Sequence, residues 1–418
     1  MGINFDQAAA DIVSKERYTD LTIESLVFQS ELLGMLPKNP KYGGKLYVGS
    51  MRNAVQSTVS ASDTVAFTSG GPSQYVRWQV PWREGYASAN LTGRAIDETN
   101  GDENAMVEAQ VSEEDGAYQA IGIHLGSAIY GNGGGAIGQA DNSTAYPVSG
   151  PTIRLTRASD IVNFYVGQVL NAAVSDDGTG GGNPIGGGTP VTAVVTAVDV
   201  DNYLVTIGGN WSTVFTGFTT NSYLFNQGDF ASKVIGLQGW IPDDQHRANL
   251  STAFNGVVRS NDPTRLAGHA YYGAGAPKGE SIIQLLRRVQ AMKGRPKHCF
   301  LNPADYADVV LDFEGRIQIT TESAFKNPQI GFEGVKIATP YGNLAIYQDV
   351  FCPQGLGYLL DMSTWLMPSM GKVPKVATFG ENGVVWLPNA TANSFQKRFV
   401  YRAAIYCSAP GKNGVVRF

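Results

Sequence analysis

The sequence predicts an α+β chain in which a long helix precedes an inserted all-β segment. Two patterns indicate this order. A stripe of apolar residues with helical spacing follows residue 103, and short strand-like runs separated by glycine-rich turns fill residues 146–230. Glycine makes up 50 of the 418 residues, which is typical of a chain with many turns. The length favours two or three domains, and 43% hydrophobic residues are enough for a large core.

The first 96 residues predict an arm followed by a long hairpin. Residues 1–45 include an apolar stretch that favours a short helix, which Gly34, Pro37 and Pro40 then break. Residues 75–82 alternate apolar and polar side chains, as a half-exposed strand does. The Ser/Thr/Gly-rich residues before them are expected to form the tip of a hairpin over 46–96.

The aromatic residues of this hairpin predict a contact with another molecule. A two-stranded ribbon has no core of its own, so Trp78 and Trp82 either pack on each other or dock against a partner. We expect docking, and therefore expect Trp78, Trp82 and Arg83 to contact a neighbouring subunit.

The strongest local signal is a helix of about 28 residues, from about 102 to 131. Asn100 and Glu103 form a capping pattern, and Gly131 begins a glycine run that should end the helix. Apolar side chains recur every three or four residues in between, and Glu114 is the only residue that violates the stripe. A coiled coil could use this stripe, but the small residues along it favour a helix that lies on a sheet.

The rest of the chain predicts a β insert followed by helices and strands. Residues 146–230 favour a small barrel or sandwich with a flexible loop at 178–188. Residues 281–293 favour an amphipathic helix, and a second helix should begin after Asn302, which has the form of a helix cap. Residues 335–346 predict a hairpin, and a late strand is expected from 395 to 408.

Motifs for catalysis, cofactors and metals are not found. Gly133 to Gly138 match GxGxxG, but they follow a helix instead of a strand, so a dinucleotide site is not expected. His124 is expected to be a packed side chain, and His298 and Cys299 should point to opposite faces of a strand. The acid pairs at 176–177 and 243–244 lack a calcium-loop pattern and are expected to be solvated turns. No apolar run is long enough to predict a membrane span.

Charge is distributed unevenly along the sequence. Residues 46–232 contain no lysine and hold six arginines against 17 acids, whereas residues 233–418 hold 20 basic residues against 13 acids. This asymmetry predicts attraction between acidic hairpins and inserts and the basic surfaces of neighbouring copies. The candidate basic residues are Arg287, Arg288, Arg295, Lys397 and Arg398. Two differently composed solvated regions are the alternative.

The order of these elements resembles the major capsid proteins of tailed double-stranded DNA bacteriophages, which have the Hong Kong 97 phage capsid fold. No single motif carries the resemblance; the order of elements does, over nearly the whole chain. The segments are the arm up to Val48, the hairpin at 46–96, the helix at 102–131, the β insertion at 152–212, and the stretches 300–308, 334–337 and 352–361. No long charged helix precedes residue 40, and no Lys–Asn pair for covalent cross-linking is evident.

The resemblance implies a division of the chain into named parts. These are an N-terminal arm (1–45), an E-loop hairpin (46–96), a spine helix with the start of a peripheral domain (97–145), an inserted β-barrel or sandwich (146–230), a return through the peripheral domain (231–279), an axial domain (280–390) and a C-terminal strand that returns to the core (391–418).

The resemblance also implies a function. The chain is expected to be a structural subunit, not an enzyme, that self-assembles as hexamers and pentamers into an icosahedral shell around viral DNA, with no cofactor. Expected partners are a separate scaffolding protein, a portal, a decoration protein and, weakly and non-specifically, the packaged DNA; no membrane is expected. The expected location is the virion, after assembly in the bacterial cytoplasm. A β-rich phage tail or adhesin-like protein is the alternative, and an α/β enzyme is a third class.

Overall fold

A computed structural model of the chain describes residues 30–54, 59–68, 71, 73–92, 103–176, 185, 191–312, 335–339, 342–378, 385–389 and 392–418. Most of the expected arm and of the expected 178–188 loop lie outside these residues. Within the described residues, none of the helices is both long and apolar enough to cross a membrane.

The chain begins with a short helix and a two-stranded ribbon. The elements are α1 (Glu31–Met35), β1 (Lys38–Asn39), β2 (Leu46–Ala54), α2 (Asp63–Thr68), β3 (Gln74–Pro81) and β4 (Arg83–Thr92). β2 and β3 pair antiparallel, with Leu46 opposite Pro81 and Arg52 opposite Tyr75. The predicted hairpin is present, but its second strand ends at Pro81 and the hairpin does not extend to residue 96. The next strand, β4, pairs with a later part of the chain instead. We call β2 and β3 the ribbon.

The predicted long helix is α3 (Glu103–Tyr130), with 28 residues. It packs against β4, so it lies on a sheet as expected. The glycine run that follows ends it as predicted: the amide of Gly131 donates to the carbonyl of Ala128 (3.1 Å), and Gly133 has a φ of +93°.

The inserted segment forms a closed barrel. Its elements are β5 (Ala136–Gln139), β6 (Thr152–Arg154), β7 (Val169–Ala173), β8 (Ala193–Asp199), β9 (Leu204–Ile207), α4 (Trp211–Val214) and β10 (Tyr223–Asn226). The strand order is β5-β10-β7-β8-β9-β6, and a bridge between Ala140 and Leu155 joins the two outer strands. Barrel, not sandwich, is therefore the architecture, and it begins at Ala136, earlier than the expected 146. We call residues 136–226 the barrel.

The second half of the chain returns to the main body and adds a mixed sheet. Its first elements are α5 (Leu237–Trp240), α6 (Pro263–Ala267), β11 (His269–Tyr272), α7 (Lys278–Ala291), β12 (His298–Leu301), α8 (Pro303–Asp312), β13 (Val335–Thr339), β14 (Gly342–Gln348) and β15 (Leu356–Leu360). The last are β16 (Trp365–Pro368), β17 (Lys375–Val376), β18 (Trp386–Pro388), β19 (Ser394–Ala403), β20 (Tyr406–Cys407) and β21 (Gly414–Arg417). The predicted helices at 281–293 and after Asn302 and the predicted hairpin at 335–346 are all present.

Two sheets organise this half of the chain. The larger has the order β11-β21-β15-β12-β14-β13, and α7 and α8 cover it through an apolar cluster that includes Leu285 and Val309. In the other, β19 pairs with β4 over ten residues, from Ser394 opposite Thr92 to Ala403 opposite Arg83. The expected late strand therefore ends at 403, and its role is to tie the C-terminal part of the chain to the base of the ribbon.

Candidate subunit-contact surfaces

The ribbon has one face that is buried within its own subunit. Tyr47, Trp78 and Val80 point to this face and are at most 9% exposed. The Trp78 ring lies 5.1 Å from the Trp240 ring and 6.2 Å from the Phe254 ring, measured between centroids. The expectation that Trp78 lacks a core of its own is therefore wrong. Since its side chain is fully covered, Trp78 has no surface left for a neighbouring subunit.

Trp82 and Arg83, at the start of β4, lie between the interior and the surface. Trp82 is partly buried against the main core, and its indole nitrogen has no hydrogen-bond partner among the described residues. The same holds for the Nε of Arg83, and burial lowers the pKa of this guanidinium. Their contact with a neighbouring subunit stays a prediction.

The opposite face of the ribbon is exposed and was missed by the sequence analysis. Since side chains alternate along a strand, the residues that flank Tyr47 and Trp78 all face away from the subunit. They are Leu46, Val48, Ser50 and Arg52 on β2, and Tyr75 and Arg77 on β3. Tyr75 is 69% exposed, and neither arginine has an ion-pair partner among the described residues. This outer face combines apolar surface with free positive charge.

A second exposed surface is basic and lies within residues 281–304, a stretch that contains no Asp or Glu. Arg287, Lys293, Arg295 and Lys297 are exposed, and no ion-pair partner for them lies in the part of the chain that the structure describes. We call these four residues the basic strip. The adjacent Arg288 is used within the subunit: it lies 4.6 Å above the Tyr271 ring and donates to the carbonyl of Ala270 (3.1 Å).

The two basic residues of β19 differ in their surroundings. Lys397 forms an ion pair with Glu114 of α3, so its charge is satisfied inside the subunit. This pair explains why Glu114 interrupts the apolar stripe of the helix. Arg398 is exposed, and its Nε lies 3.4 Å from the amide oxygen of Gln396. Only Arg398 of these two presents a side chain outward.

The expected acidic hairpin is a misassignment. Residues 46–96 contain four arginines against two acids, whereas residues 97–145 contain nine acids and no lysine or arginine. Eight of those acids lie between 97 and 115, at the start of α3 and just before it. The acidic charge of this part of the sequence therefore lies in residues 97–115, and residues 46–96 are weakly basic.

Two histidines lie in hydrogen-bond networks that the sequence analysis did not anticipate. His124 Nδ1 lies 2.8 Å from the hydroxyl of Tyr401, and its Nε2 lies 2.9 Å from Asp229. Burial alone would raise the pKa of Asp229, but the hydrogen bond to His124 and the charge of Lys233 outweigh it and lower this pKa. His124 is thus partly packed, as expected, but it also links α3 to the end of the barrel.

His246 contacts two carboxylates. Its Nδ1 contacts Asp243, and its Nε2 lies 3.4 Å from Asp176. Hydrogen bonds to Asp176 and Asp243 raise the pKa of His246 to about 10, against the lowering effect of burial. Asp243 is only 2% exposed, so the expectation that it lies in a solvated turn is wrong. Within the described residues, no group of three His, Cys, Asp or Glu side chains could hold a metal ion.

No family model matches the chain, and no curated protein matches it either. Among solved structures, a chain of the cyanophage A-1(L) capsid asymmetric unit is similar at a TM-score of 0.51 and 11% identity, over 96% of each chain. The two chains share a fold. The predicted Hong Kong 97-like capsid fold is therefore confirmed.

Two further solved structures are similar at lower scores. A structure from Mycobacterium phage Bobi has 12% identity and a TM-score of 0.44, over 99% of this chain and 98% of that one. An encapsulin complex from Synechococcus elongatus has 8% identity and a TM-score of 0.45, over 99% of this chain and 95% of that one.

Proposed function

We propose that the chain is the major structural subunit of a phage head, and that copies of it assemble into a closed shell. The observation that carries this proposal is the match of fold over 96% of both chains to a subunit of the cyanophage A-1(L) capsid. The tail or adhesin alternative is less favoured, because the β-rich part of this chain is an insert within that fold and not its main body.

The ribbon supports the assembly role. It projects a two-stranded element whose outer face carries Val48 and Tyr75 together with Arg52 and Arg77. An isolated two-stranded ribbon is only marginally stable and needs a further surface to cover it, and the main core packs against its inner face. We therefore assign the outer face to contact with a neighbouring subunit, in addition to Trp82 and Arg83.

Charge supports a second contact between copies. The basic strip and Arg398 have the sign that complements the acids at 97–115 other than Glu114, which Lys397 engages. A contact between two different surfaces of the same chain is heterologous, and it forms rings such as hexamers and pentamers when the rotation between neighbours closes. Arg287 and Arg295 are the members of the strip that we assign to this contact. Lys397 and Arg288 contribute less, because their charges are engaged within the subunit.

The remaining partners follow from a shell that encloses a genome. These are a separate scaffolding protein, a portal, a decoration protein and non-specific contact with DNA phosphates. The expected location is the virion, after assembly in the host cytoplasm.

Electron microscopy of the purified chain, alone and with the scaffold candidate from the neighbouring gene, tests the proposal. Closed shells of uniform diameter support it, whereas trimers or fibres support the tail alternative. Deleting residues 57–71, the ribbon tip, should leave a folded subunit that fails to form shells. The matched control removes residues 180–184 of the barrel loop, which should leave assembly intact; normal shells from the ribbon deletion would rule out the assigned contact.

A further inference from the structure

The barrel and the main body have separate apolar cores. The barrel core includes Trp211, Phe215 and Phe218, whose rings lie 5.2–6.0 Å apart. The core of the main body draws on α3, the ribbon and the sheet strands. Among the described residues, no buried apolar side chain belongs to both clusters. Apolar packing therefore stabilises each part through a core of its own.

Two chain segments join the barrel to the main body and run side by side. We call residues 131–135 and 227–236 the neck. The amide of Ala231 donates a hydrogen bond to the carbonyl of Gly134 (2.8 Å). The amide of Gly236 donates one to the carbonyl of Gly131 (3.0 Å). Glycines at 133, 135 and 228 have φ values between +88° and +95°, which side chains rarely allow. Two backbone hydrogen bonds thus join the two segments of the neck to each other.

A first polar contact crosses from the barrel to the main body at Asp176. This residue follows β7 and accepts a hydrogen bond from the side chain of Asn132 in the neck (3.1 Å). It also lies 3.4 Å from His246, which Asp243 holds from the other side. A largely polar cavity of about 190 Å³ lies beside these groups, lined also by Arg157 and Lys233.

A second polar contact crosses on another side of the neck. His124 of α3 lies between the hydroxyl of Tyr401 on β19 (2.8 Å) and the carboxylate of Asp229 (2.9 Å). Asp229 also accepts a hydrogen bond from the side chain of Asn226 at the end of β10 (3.1 Å). Asn226 in turn accepts one from Gln168 of the barrel (2.5 Å). A groove of about 580 Å³ separates α3 and β4 from the barrel here.

We propose that these two contacts, Asn132–Asp176–His246 and His124–Asp229–Asn226, are clamps that set the orientation of the barrel, together with the hydrogen bond from the amide of Gln354 to the hydroxyl of Ser159 (3.1 Å). When the clamps open, the barrel pivots on the neck as a rigid body while both cores stay folded. The reason is energetic: a few hydrogen bonds contribute much less stability than the apolar burial that holds either core together. The groove and the cavity provide space for the movement.

Hydrogen–deuterium exchange of the full-length, unassembled chain tests this proposal. The double variant Asp176→Ala/Asn226→Ala, made in a Ser159→Ala background that removes the contact with Gln354, opens both clamps and leaves the buried Lys233–Asp229 ion pair intact. We expect the neck amides of Ala231 and Gly236 to exchange at least tenfold faster than in the wild type. Amides of β7, β9 and α3 should keep their wild-type protection.

Two control variants remove ion pairs that do not cross the neck. Arg154→Ala breaks the pair with Asp141 inside the barrel, and Arg417→Ala breaks the pair with Asp244 inside the main body. Neither should change exchange at the neck. Wild-type neck protection in the double variant would overturn the proposal, and so would loss of protection in the barrel strands. Because unassembled subunits are measured, the result does not depend on whether the chain forms shells.

Discussion

The indole ring of Trp78 packs edge-on against the indole of Trp240, with 5.1 Å between ring centroids. Trp78 belongs to the ribbon and Trp240 to α5, so this pair anchors the ribbon to the main body. Gly49 on β2 faces the Tyr406 ring so closely that a Cβ there would lie 2.3 Å from it. The base of the ribbon is therefore fixed, while its outer face is exposed.

Replacing Trp78 by alanine should destabilise the subunit by about 3–5 kcal/mol, because a fully buried aromatic side chain leaves a cavity. Chemical unfolding followed by circular dichroism measures this change. Tyr75→Ala on the outer face of the same strand is the matched control and should change stability by about 0.5 kcal/mol or less. Its effect should instead appear as slower shell assembly. Equal stability of the two variants would contradict the anchoring role of Trp78.

His246 should make stability depend on pH in the alkaline range. The pKa of His246 rises from an ordinary 6.5 to about 10 in the folded chain, so its protonated form stabilises that state. This contribution is complete below pH 6.5 and is lost as pH rises through about 10. The urea midpoint of the wild type should therefore approach that of His246→Asn between pH 7 and 10.

His298→Asn is the control for this pH dependence. Burial lowers the pKa of His298, so the side chain is already neutral above pH 7 and its removal should add no slope there. A constant difference in midpoint between wild type and His246→Asn across pH 7–10 would contradict the assigned ion pairs.

Asp160 should give a pH dependence of the opposite kind. Burial raises the pKa of Asp160 to about 6, so the ionised side chain costs stability in the folded chain. The cost is full above pH 6 and disappears as pH falls below the unfolded value near 4. Asp160→Asn should therefore be more stable than the wild type at pH 8, and the two should converge at pH 4.

A matched acid variant checks the sign of the Asp160 effect. Hydrogen bonds from Asn202 lower the pKa of Asp199, so Asp199→Asn should not gain stability at pH 8. Thermal unfolding of both variants at pH 4 and pH 8 makes the comparison. A destabilised Asp160→Asn at pH 8 would show that its carboxylate is stabilised rather than penalised by its surroundings.

Assembly should weaken as salt rises if the basic strip contacts acidic segments of neighbours. Single surface ion pairs contribute only about 0–1 kcal/mol, but a shell repeats them in every subunit, and salt screens charges beyond about 8–10 Å. Light scattering should show slower assembly at high sodium chloride and in Arg287→Glu/Arg295→Glu at low salt. Arg154→Glu, which removes a positive charge from the barrel, should assemble normally. A rate that stays level or rises with salt would instead indicate assembly by apolar burial.

The barrel loop should tolerate shortening, but not at every residue. Ile185 is 9% exposed, and its amide donates to the carbonyl of Ala172 (2.7 Å), so it belongs to the barrel core. Deleting residues 180–184 should leave the melting temperature of the barrel nearly unchanged, because loop length costs little free energy. Ile185→Ala should lower that temperature. A soluble, folded Ile185→Ala with unchanged melting would contradict the assigned burial.

Local sequence patterns predicted the helices and strands well where the residues of one segment are enough to specify its secondary structure. The apolar stripe and the glycine run gave α3 within one residue at each end, and the alternating pattern located β3. Contacts between distant segments were not predictable in the same way. Glu114 violates the stripe because Lys397 lies opposite it, and these two residues are 283 positions apart.

The contact surfaces were harder to predict for the same reason. Trp78 was assigned to a partner because its own hairpin offers no core, but Trp240 and Phe254 supply one from a later part of the chain. Asp176 and Asp243 each resemble a polar turn, and only the fold brings both to His246. Pairings of this kind depend on tertiary structure, which a reading of spacing along one segment does not contain.

β21 lies in the middle of the larger sheet, between β11 and β15. β11 ends at Tyr272, so its only described strand partner is synthesised about 140 residues later. Pairings this distant in sequence form slowly, since the loop must close before the contacts stabilise it. The sheet therefore cannot be completed while the chain is still emerging from the ribosome up to residue 413. The strand Gly414–Arg417 is thus the last part of this domain to be made, although it lies in the middle of the sheet.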